Sequence, residues 1–394
     1  MGAAASDRLG AWCGWVLIGG AALTPLLAWL GPKGFAPLMG LLGLLCLPAF
    51  RIGKDDRLML GALAAGVAWA AVSILWSRFP PALSGPMTAV KLALQLPLYW
   101  AVICGARRAD SRLARRALAV LAWGMAAFGL VLLAEAATGA EVYRRLHVAG
   151  WGPIRPDIAQ AHVGHATFIM ALLWPVAAAG VGKRWLAAPM AAGLLAAAVM
   201  FGSDAPVAAV ALSALSGLMV YAWPRLGPRV IAAKALALFL GAPVIVAVAR
   251  QAWGLERLQA MAPLSWGQRM GYWSHALDRI VEKPLLGWGL DASRTFAPDI
   301  VLHPHDAPLQ IWLEMGVPGA VLAAIFWAAA ILRLQRPARD IPAAAAAASL
   351  AAYLLFAAVN FGVWQEWWLA LGAWTVAMAT LGARQAGATM RPST

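Results

Sequence analysis

The sequence has 394 residues, of which 62% are hydrophobic and only 12% are charged. Soluble domains carry about 25% charged residues, so this composition excludes an ordinary soluble protein. The formal net charge of +14 would suggest nucleic-acid binding in a soluble chain, but in a hydrophobic chain basic residues also act as topology signals. The three cysteines, Cys13, Cys46 and Cys104, lack CxxC spacing, so no disulfide framework or zinc site is expected.

Apolar segments of about 17 to 20 residues recur along the whole chain, each bounded by charged or Pro/Gly-rich residues. Each segment is long enough to cross a bilayer as a helix. We predict twelve spans, at 11–30, 34–50, 58–76, 87–105, 117–136, 166–182, 186–203, 204–222, 230–249, 316–335, 341–359 and 367–383. The sequence therefore predicts an all-α polytopic membrane protein with a single integral membrane domain over residues 1–394.

The basic residues are shared unequally between the two ends of these spans. With the N-terminus placed in the cytoplasm, the cytoplasmic segments hold 18 Lys and Arg and the outer segments hold 11. With the acidic residues included, the two sides carry +13 and +1. The positive-inside rule then predicts that both termini are cytoplasmic. The net charge is explained as a topology signal, and no nucleic-acid partner is expected.

The first of two large outer segments covers residues 137–165. It carries Arg144, Arg145 and Arg155, and it ends at His165 near the sixth span. Arginine suits phosphate because its guanidinium donates two parallel hydrogen bonds. Arg144 and Arg145 also fit contacts with lipid headgroups, and His165 fits either an acceptor path or packing at the membrane interface.

The second outer segment, 250–315, is too long for a simple connector, which indicates a functional role. Apolar residues recur in it at helical spacing, so roughly 268–283 is predicted to be an amphipathic helix on the membrane surface or on the bundle. Arg269 falls in the predicted first turn, beside Tyr272 and Trp273. The Trp273 ring suits stacking on a sugar, although tryptophan also marks membrane interfaces.

The stretch HPHDAPLQIWLEMGVPG follows at 303–319. Asp306 followed by Pro308 predicts a helix start with Asp as the N-cap. His305 would then lie beside a helix N-terminus, where partial positive charge favours a neutral imidazole that can act as a base. His303 and His305 with nearby acids leave a metal site as an alternative. The sequence has no DxD motif, so we expect no metal and no cofactor.

His305-Asp306 is followed by nine residues and then by Gly316-Val317-Pro318-Gly319. This spacing resembles the O-antigen ligase and O-antigen polymerase superfamily, which carries a His followed by Asn, Ser or Gln, nine residues and GxxG. The segment from Arg269 to PLLGWGL at 284–290 is similar to a second family segment, and the twelve-span layout is similar too. Asp306 departs from the family pattern, which has an amide or a hydroxyl there. Gly202-Ser203-Asp204-Ala205 stands where many relatives have a Ser-Arg-Gly type sequence.

The resemblance implies a glycosyltransferase-C-like fold in the bacterial inner membrane with a periplasmic active site. It implies transfer of a glycan from an undecaprenyl-pyrophosphate-linked donor to a hydroxyl of lipid A-core or of another glycan. In that chemistry His305 would be the base, and Arg269 and Arg155 would hold the pyrophosphate. The further candidates for substrate contacts are Arg145, Arg144, Trp273, Tyr272, His303 and His165.

Several alternatives stay open at this point. The motif fits an O-antigen ligase, which joins a finished glycan to lipid A-core, and also a polymerase, which joins repeat units on the carrier. A transporter of lipid-linked glycans is a third alternative, but it would call for inverted repeats and charges near mid-membrane. Individually, His305 fits a helix cap, Arg269 fits a surface ion pair, and Arg155 fits a structural role equally well.

Overall fold

The computed structural model describes residues 3–79 and 85–389. Within these ranges all regular secondary structure is helical. The α-helices are α1 (Ala3–Leu30), α2 (Phe35–Cys46), α3 (Arg57–Ser73), α4 (Gly85–Arg108), α5 (Ser111–Thr138), α6 (Glu141–Trp151), α7 (Pro156–Ala179), α8 (Ala187–Met200), α9 (Asp204–Ala222), α10 (Leu226–Trp253), α11 (Leu255–Met261), α12 (Leu264–Glu282), α13 (Ala307–Leu332), α14 (Ile341–Val359) and α15 (Glu366–Thr389).

Every predicted span overlaps one of these helices, although α7 and α13 begin well before the predicted starts at 166 and 316. Ten helical segments of the described chain are long and apolar enough to cross a membrane. The other two predicted spans fall on Arg184–Met200, a shorter apolar helical segment, and on α15, which has 24 residues but is not among the ten. The fold is that of a polytopic all-α membrane protein, as predicted.

The helices pack through small residues that allow close approach of their backbones. α1 packs on α5, α5 on α8, α9 on α14, and α10 and α3 both pack on α13. Where α5 meets α8, a Cβ on Gly193 would lie 2.0 Å from the carbonyl oxygen of Gly129. Such contacts replace the hydrophobic effect as the source of helix association within a bilayer.

At one end of the bundle, which we call the basic end, two arginines pair with Asp56, whose side chain is only 2% exposed. Asp56 accepts from Arg107 of α4 at 2.8 Å and from Arg333 at the end of α13 at 2.7 Å. The connections 137–165 and 250–315 lie at the opposite end, which we call the loop end. This arrangement agrees with the predicted charge asymmetry, while the side of the membrane stays a prediction. Residues 1–2 and 390–394, the chain termini, lie outside the described residues.

The two large connections are themselves mostly helical. The first contains α6, and the second contains α11, α12 and a single 3-10 turn, Ala292–Thr295. α12 begins at Leu264, four residues before the predicted start, because the backbone N–H groups of Trp266 and Gly267 both donate to the Pro263 carbonyl. The prediction that Arg269 lies in the first turn was therefore wrong, and Arg269 lies in the second turn.

Candidate functional site

His305 lies immediately before α13, at the loop end of the bundle. The Asp306 carboxylate accepts from the Leu309 N–H at 2.8 Å, and Pro308 occupies the first turn, so the predicted helix start is confirmed. His305 itself has a left-handed backbone with φ of 57°. Such a conformation is uncommon for a residue other than glycine, and it turns the chain sharply into α13.

The tautomer of His305 follows from its hydrogen bond. Its Nδ1 lies 2.7 Å from the carbonyl oxygen of Asn360, in the connection between α14 and α15. A carbonyl only accepts, so Nδ1 carries the proton and the neutral ring has an unprotonated Nε2. Burial lowers the pKa of His305, the Asn360 bond opposes this, and the charge of Arg269 lowers the pKa further. The ring is therefore a neutral base at pH 7 with Nε2 as its basic atom.

His303 is a buried partner of His305, with ring centroids 4.3 Å apart. Its Nδ1 accepts from the backbone N–H of His305 at 3.1 Å. Burial lowers the pKa of His303 to about 3, and the nearby His305 and Arg294 add to that effect. His303 thus stays neutral and supports the left-handed turn at His305.

α12 places Arg269 and Tyr272 beside the histidine pair. The Tyr272 ring stacks on His305 with centroids 6.0 Å apart. Arg269 lies over the Trp266 ring at 5.1 Å, and among the described residues no carboxylate lies within ion-pair distance of it. Burial lowers the pKa of Arg269, with the more distant Asp204 opposing, but an arginine stays charged. Arg269 is therefore a half-buried cation beside a neutral base.

Trp273 makes packing contacts in this region. It packs with Trp288 and Leu309 in an apolar cluster between α12 and α13, and its indole N–H is buried without a partner in the described part of the chain. The contacts of Trp273 are therefore those of a packing residue. Its predicted contact with substrate stays untested.

The PLLGWGL segment, residues 284–290, packs closely against α13 where the GxxG segment, residues 316–319, begins. α13 is broken at Gly316, where φ is 61° and ψ is −158°. The N–H groups of Trp288 and Gly289 donate to the carbonyls of Leu313 and Glu314, both at 2.8 Å. A Cβ on Gly316 would lie 2.3 Å from the Leu285 carbonyl oxygen, so only glycine fits. The two segments form one unit that fixes the N-terminal part of α13.

The sequence did not predict the position of Arg294 or the ion pair between Lys91 and Glu366. Arg294 lies beside the histidine loop, because its neighbour Ser293 donates to the Leu302 carbonyl at 3.0 Å. Its Nε lies 3.2 Å from Asp291, and its guanidinium side chain is 42% exposed. Lys91 forms an ion pair with Glu366 at 2.7 Å. The only sequence signal for Arg294 was its place among the basic residues of the 250–315 segment.

The arginines of the first large connection have carboxylate partners. Arg155 forms two hydrogen bonds with Asp157, at 3.0 and 2.7 Å, and its side chain is 75% exposed. Arg144 and Arg145 both pair with Glu141, and these bonds lower the pKa of Glu141 to about 2. No contact of these side chains in the described structure reaches the histidine pair, so their predicted convergence with His305 stays untested.

Two ring contacts connect His165 with the segment between α14 and α15, which carries Asn360. Its ring lies 6.1 Å from Phe168, which packs at 5.3 Å on Phe361, the residue after Asn360. The exposed His165 is thus linked to the α14–α15 connection through Phe168.

For metals, no group of three or more His, Cys, Asp or Glu comes together in the described ranges.

An apolar cavity of about 130 Å³ lies directly behind the site. Ala307, Ile311, Met315 and Gly319 line it along one face of α13, and Gly362 closes it near the histidine loop. Apolar cavities of roughly this size hold small hydrocarbons and exclude water. The cavity therefore suits a piece of a hydrocarbon chain next to a polar reaction site.

These features define a class: a polytopic membrane protein with a histidine and an arginine presented together at one end of the bundle. Residues 189–324 match the family model described as O-antigen ligase, and the match includes both Arg269 and His305. This match supports the resemblance to the O-antigen ligase superfamily that the motifs predict.

Provisionally named polysaccharide ligases of three Rickettsia species are similar to part of the chain. The Rickettsia conorii protein is 28% identical over 140 residues, which is 32% of this chain and 34% of that protein. The Rickettsia felis and Rickettsia typhi proteins are each 25% identical over the same length, with the same coverage. The chain thus matches about a third of the length of these curated relatives. No solved structure matches the chain.

Proposed function

We propose that the chain is an O-antigen ligase that transfers a glycan from undecaprenyl pyrophosphate to a hydroxyl of lipid A-core. The observation that carries the proposal is the pairing of a neutral His305, whose Nε2 is free, with an Arg269 that has no carboxylate partner in the described chain. A base and a cation at the edge of a membrane are what transfer from a pyrophosphate carrier needs. The names of the Rickettsia relatives favour the same class of reaction.

In the proposed reaction, the acceptor hydroxyl attacks the anomeric carbon of the donor glycan. Its proton passes to Nε2 of His305 as the new glycosidic bond forms. The bond between the anomeric carbon and the pyrophosphate oxygen breaks, and the leaving group departs as undecaprenyl pyrophosphate. Arg269 neutralises the charge that develops on that leaving group, which is the main electrostatic requirement of the step. The reaction needs no metal in this scheme.

Arg294 is a second candidate cation for the pyrophosphate, since it lies beside His303 and its guanidinium side chain is partly exposed. Arg155, Arg144 and Arg145 remain candidates on the condition that their present ion pairs open when substrate binds. Tyr272, His303, Trp273 and His165 are the proposed contacts for the sugars or the acceptor. The apolar cavity behind α13 suits the first part of the polyprenyl chain, and membrane lipids would surround the rest.

The proposed setting is the bacterial inner membrane, with the basic end of the bundle in the cytoplasm and the loop end in the periplasm. Both termini would then be cytoplasmic. The candidate catalytic residues lie at the loop end. A transporter would place its polar site near mid-membrane, so their position favours an enzyme.

Deletion of the gene tests the proposal against the polymerase alternative. A ligase defect leaves full-length polymer on the carrier, while a polymerase defect leaves single repeat units. We expect full-length polymer in the deletion strain, restored attachment with the wild-type gene, and no restoration with His305→Ala. Accumulation of single repeat units would favour the polymerase, and full complementation by His305→Ala would refute the assigned chemistry.

A further inference from the structure

Glu314 is a fully buried carboxylate at the end of the second turn of α13, with 0% of its surface exposed. Its oxygens accept from the backbone N–H of Asp291 at 3.0 Å, the indole N–H of Trp364 at 2.6 Å and the side-chain amide of Gln310 at 3.0 Å. These three donors belong to three separate segments of the chain, and the Ser293 side chain also hydrogen-bonds the Glu314 carboxylate. A buried carboxylate with several N–H donors is held firmly in place.

One of these segments is the connection between α14 and α15, which supplies the partner of His305. Trp364 donates directly to Glu314. Val363 donates its backbone N–H to Gln310 at 3.0 Å, and Gln310 in turn donates to Glu314. The Asn360 carbonyl, which accepts from Nδ1 of His305, lies only a few residues earlier in the same connection. Glu314 therefore has two hydrogen-bonded links to the segment that orients the imidazole.

We propose that Glu314 is a positioning residue that fixes the α14–α15 connection, so that the Asn360 carbonyl holds His305 in the tautomer with a free Nε2. Glu314 does not touch the reacting atoms in this scheme. The inference rests on the proposed function of His305, and it adds a residue that acts on His305 through other groups.

The donor and acceptor pattern makes this proposal testable with one amide. In Glu314→Gln, the amide oxygen can keep the N–H groups of Asp291 and Trp364, but the new NH₂ then faces the NH₂ of Gln310. Gln310 cannot relieve this by rotation, because its oxygen accepts from the Val363 N–H. The bond between positions 310 and 314 is therefore lost in the variant, which weakens the hold of Gln310 on the connection.

Exchange of the two side chains restores the bond between positions 310 and 314. In the double variant Gln310→Glu with Glu314→Gln, the new carboxylate at 310 accepts from Val363 and from the amide at 314. The amide oxygen at 314 still accepts from Asp291 and Trp364. The pair keeps its size and its single negative charge, so recovery in this variant reports the hydrogen-bond pattern itself.

Purified wild-type and variant proteins are assayed for transfer from an undecaprenyl-pyrophosphate-linked glycan as a function of pH. We expect Glu314→Gln to lower kcat by about 10- to 100-fold, as displacement of a reacting group by about 1 Å does, with little change in KM for the donor. Because the Asn360 bond favours the protonated ring, its loss should move the acid limb of the pH profile to lower pH. The double variant should recover both properties.

A second readout does not depend on turnover. Diethyl pyrocarbonate modifies neutral imidazole, so its rate of reaction at His305, measured by mass spectrometry against pH, reports the pKa of that ring. The charged and titratable groups around the histidine pair are His303, Asp306, Arg269, Tyr272 and Arg294, and none of them changes in these variants. The midpoint should fall in Glu314→Gln and return in the double variant.

The matched control is Glu282→Gln, which removes an exposed carboxylate paired with Arg279 and should leave both readouts unchanged. The positioning role is overturned if Glu314→Gln keeps the wild-type pH profile and the wild-type reactivity of His305. In that outcome His305→Ala is still inactive, so the proposed function itself stands. Failure of the double variant to improve on Glu314→Gln would also overturn it. Near-normal transfer by His305→Ala would instead refute the proposed function itself.

Discussion

His305 has a fixed tautomer, which the sequence did not predict, and a lowered pKa, which the sequence predicted from the helix N-terminus. Burial is the largest cause of the lower pKa, and the ordinary value of the side chain is 6.5. A base must be neutral to accept a proton, so transfer should fall only when the pH drops below the lowered pKa. We expect the acid limb of the rate profile of the wild-type protein to lie below pH 6.5. A limb centred above 6.5 would contradict the burial of this ring.

Asp306 gives a second prediction at the scale of one residue. Burial raises its pKa to about 7 from an ordinary 3.8, and the Leu309 N–H opposes this only in part. Between these values the folded state binds more protons than the unfolded state. The stability therefore falls as pH rises from about 4 to about 7, and the loss is complete above that range.

Asp306→Asn keeps an oxygen for the Leu309 N–H and removes the charge. We expect this variant to unfold a few degrees higher than the wild type at pH 8, with a gain that shrinks toward pH 4. Thermal unfolding in detergent measures the difference, and Asp299→Asn, an exposed carboxylate, is the control. An equal midpoint at pH 8 would show that Asp306 carries no such cost.

At the scale of elements, the break in α13 is the feature that joins the two motifs. Pro284–Gly289 caps the broken helix through the Trp288 and Gly289 N–H groups. Gly316 needs both its positive φ and the absence of a Cβ. In the family motif, Glu314 therefore lies two residues before the break at Gly316, and His305 lies just before the N-cap of the helix.

Gly316→Ala should therefore destabilise the protein strongly. A left-handed backbone costs of order 1–3 kcal/mol for a residue with a Cβ, and here the Cβ would also lie 2.3 Å from a carbonyl oxygen. Gly61→Ala is the matched control, since that helical glycine has nothing within 4 Å of its would-be Cβ. The yield and thermal midpoint of each variant in detergent give the comparison. Equal yields and equal thermal midpoints for the two variants would contradict the close contact between Gly316 and the 284–290 segment.

At the scale of the whole molecule, hydropathy and charge predicted most of the fold. Length and apolar periodicity are strong signals for a helix in a bilayer, so all twelve spans fall on helices. The cap at Asp306 was also predictable, because its signal is local. The start of α12 was not, since it depends on backbone bonds to Pro263 rather than on the apolar pattern.

The site was only partly predictable, for a related reason. The motif placed His305, Arg269 and His303 in one region, and the structure brings them together. The Asn360 carbonyl that sets the tautomer lies 55 residues away, and a backbone oxygen leaves no mark in a sequence. For Arg155 the sequence left a pyrophosphate contact and a structural role equally open, and its side chain is paired with Asp157 two residues later.

The predicted orientation is tested on whole cells. The three native cysteines are buried, so they should give little background with a thiol reagent. Arg257→Cys lies at the loop end and Arg112→Cys at the basic end, and both positions are exposed. We expect a membrane-impermeant maleimide to label Arg257→Cys from the periplasm, and to label Arg112→Cys only after the membrane is opened. The reverse pattern would invert the topology.

The central claim is that His305 supplies the base for glycan transfer from a pyrophosphate carrier. Its most direct test is the rate of transfer by purified wild-type protein and by His305→Ala, with undecaprenyl-pyrophosphate-linked glycan as donor and lipid A-core as acceptor. Loss of a general base lowers a rate by about 10²- to 10⁴-fold, so a drop of that size with intact folding is predicted. A His305→Ala rate within a fewfold of the wild type would contradict the account.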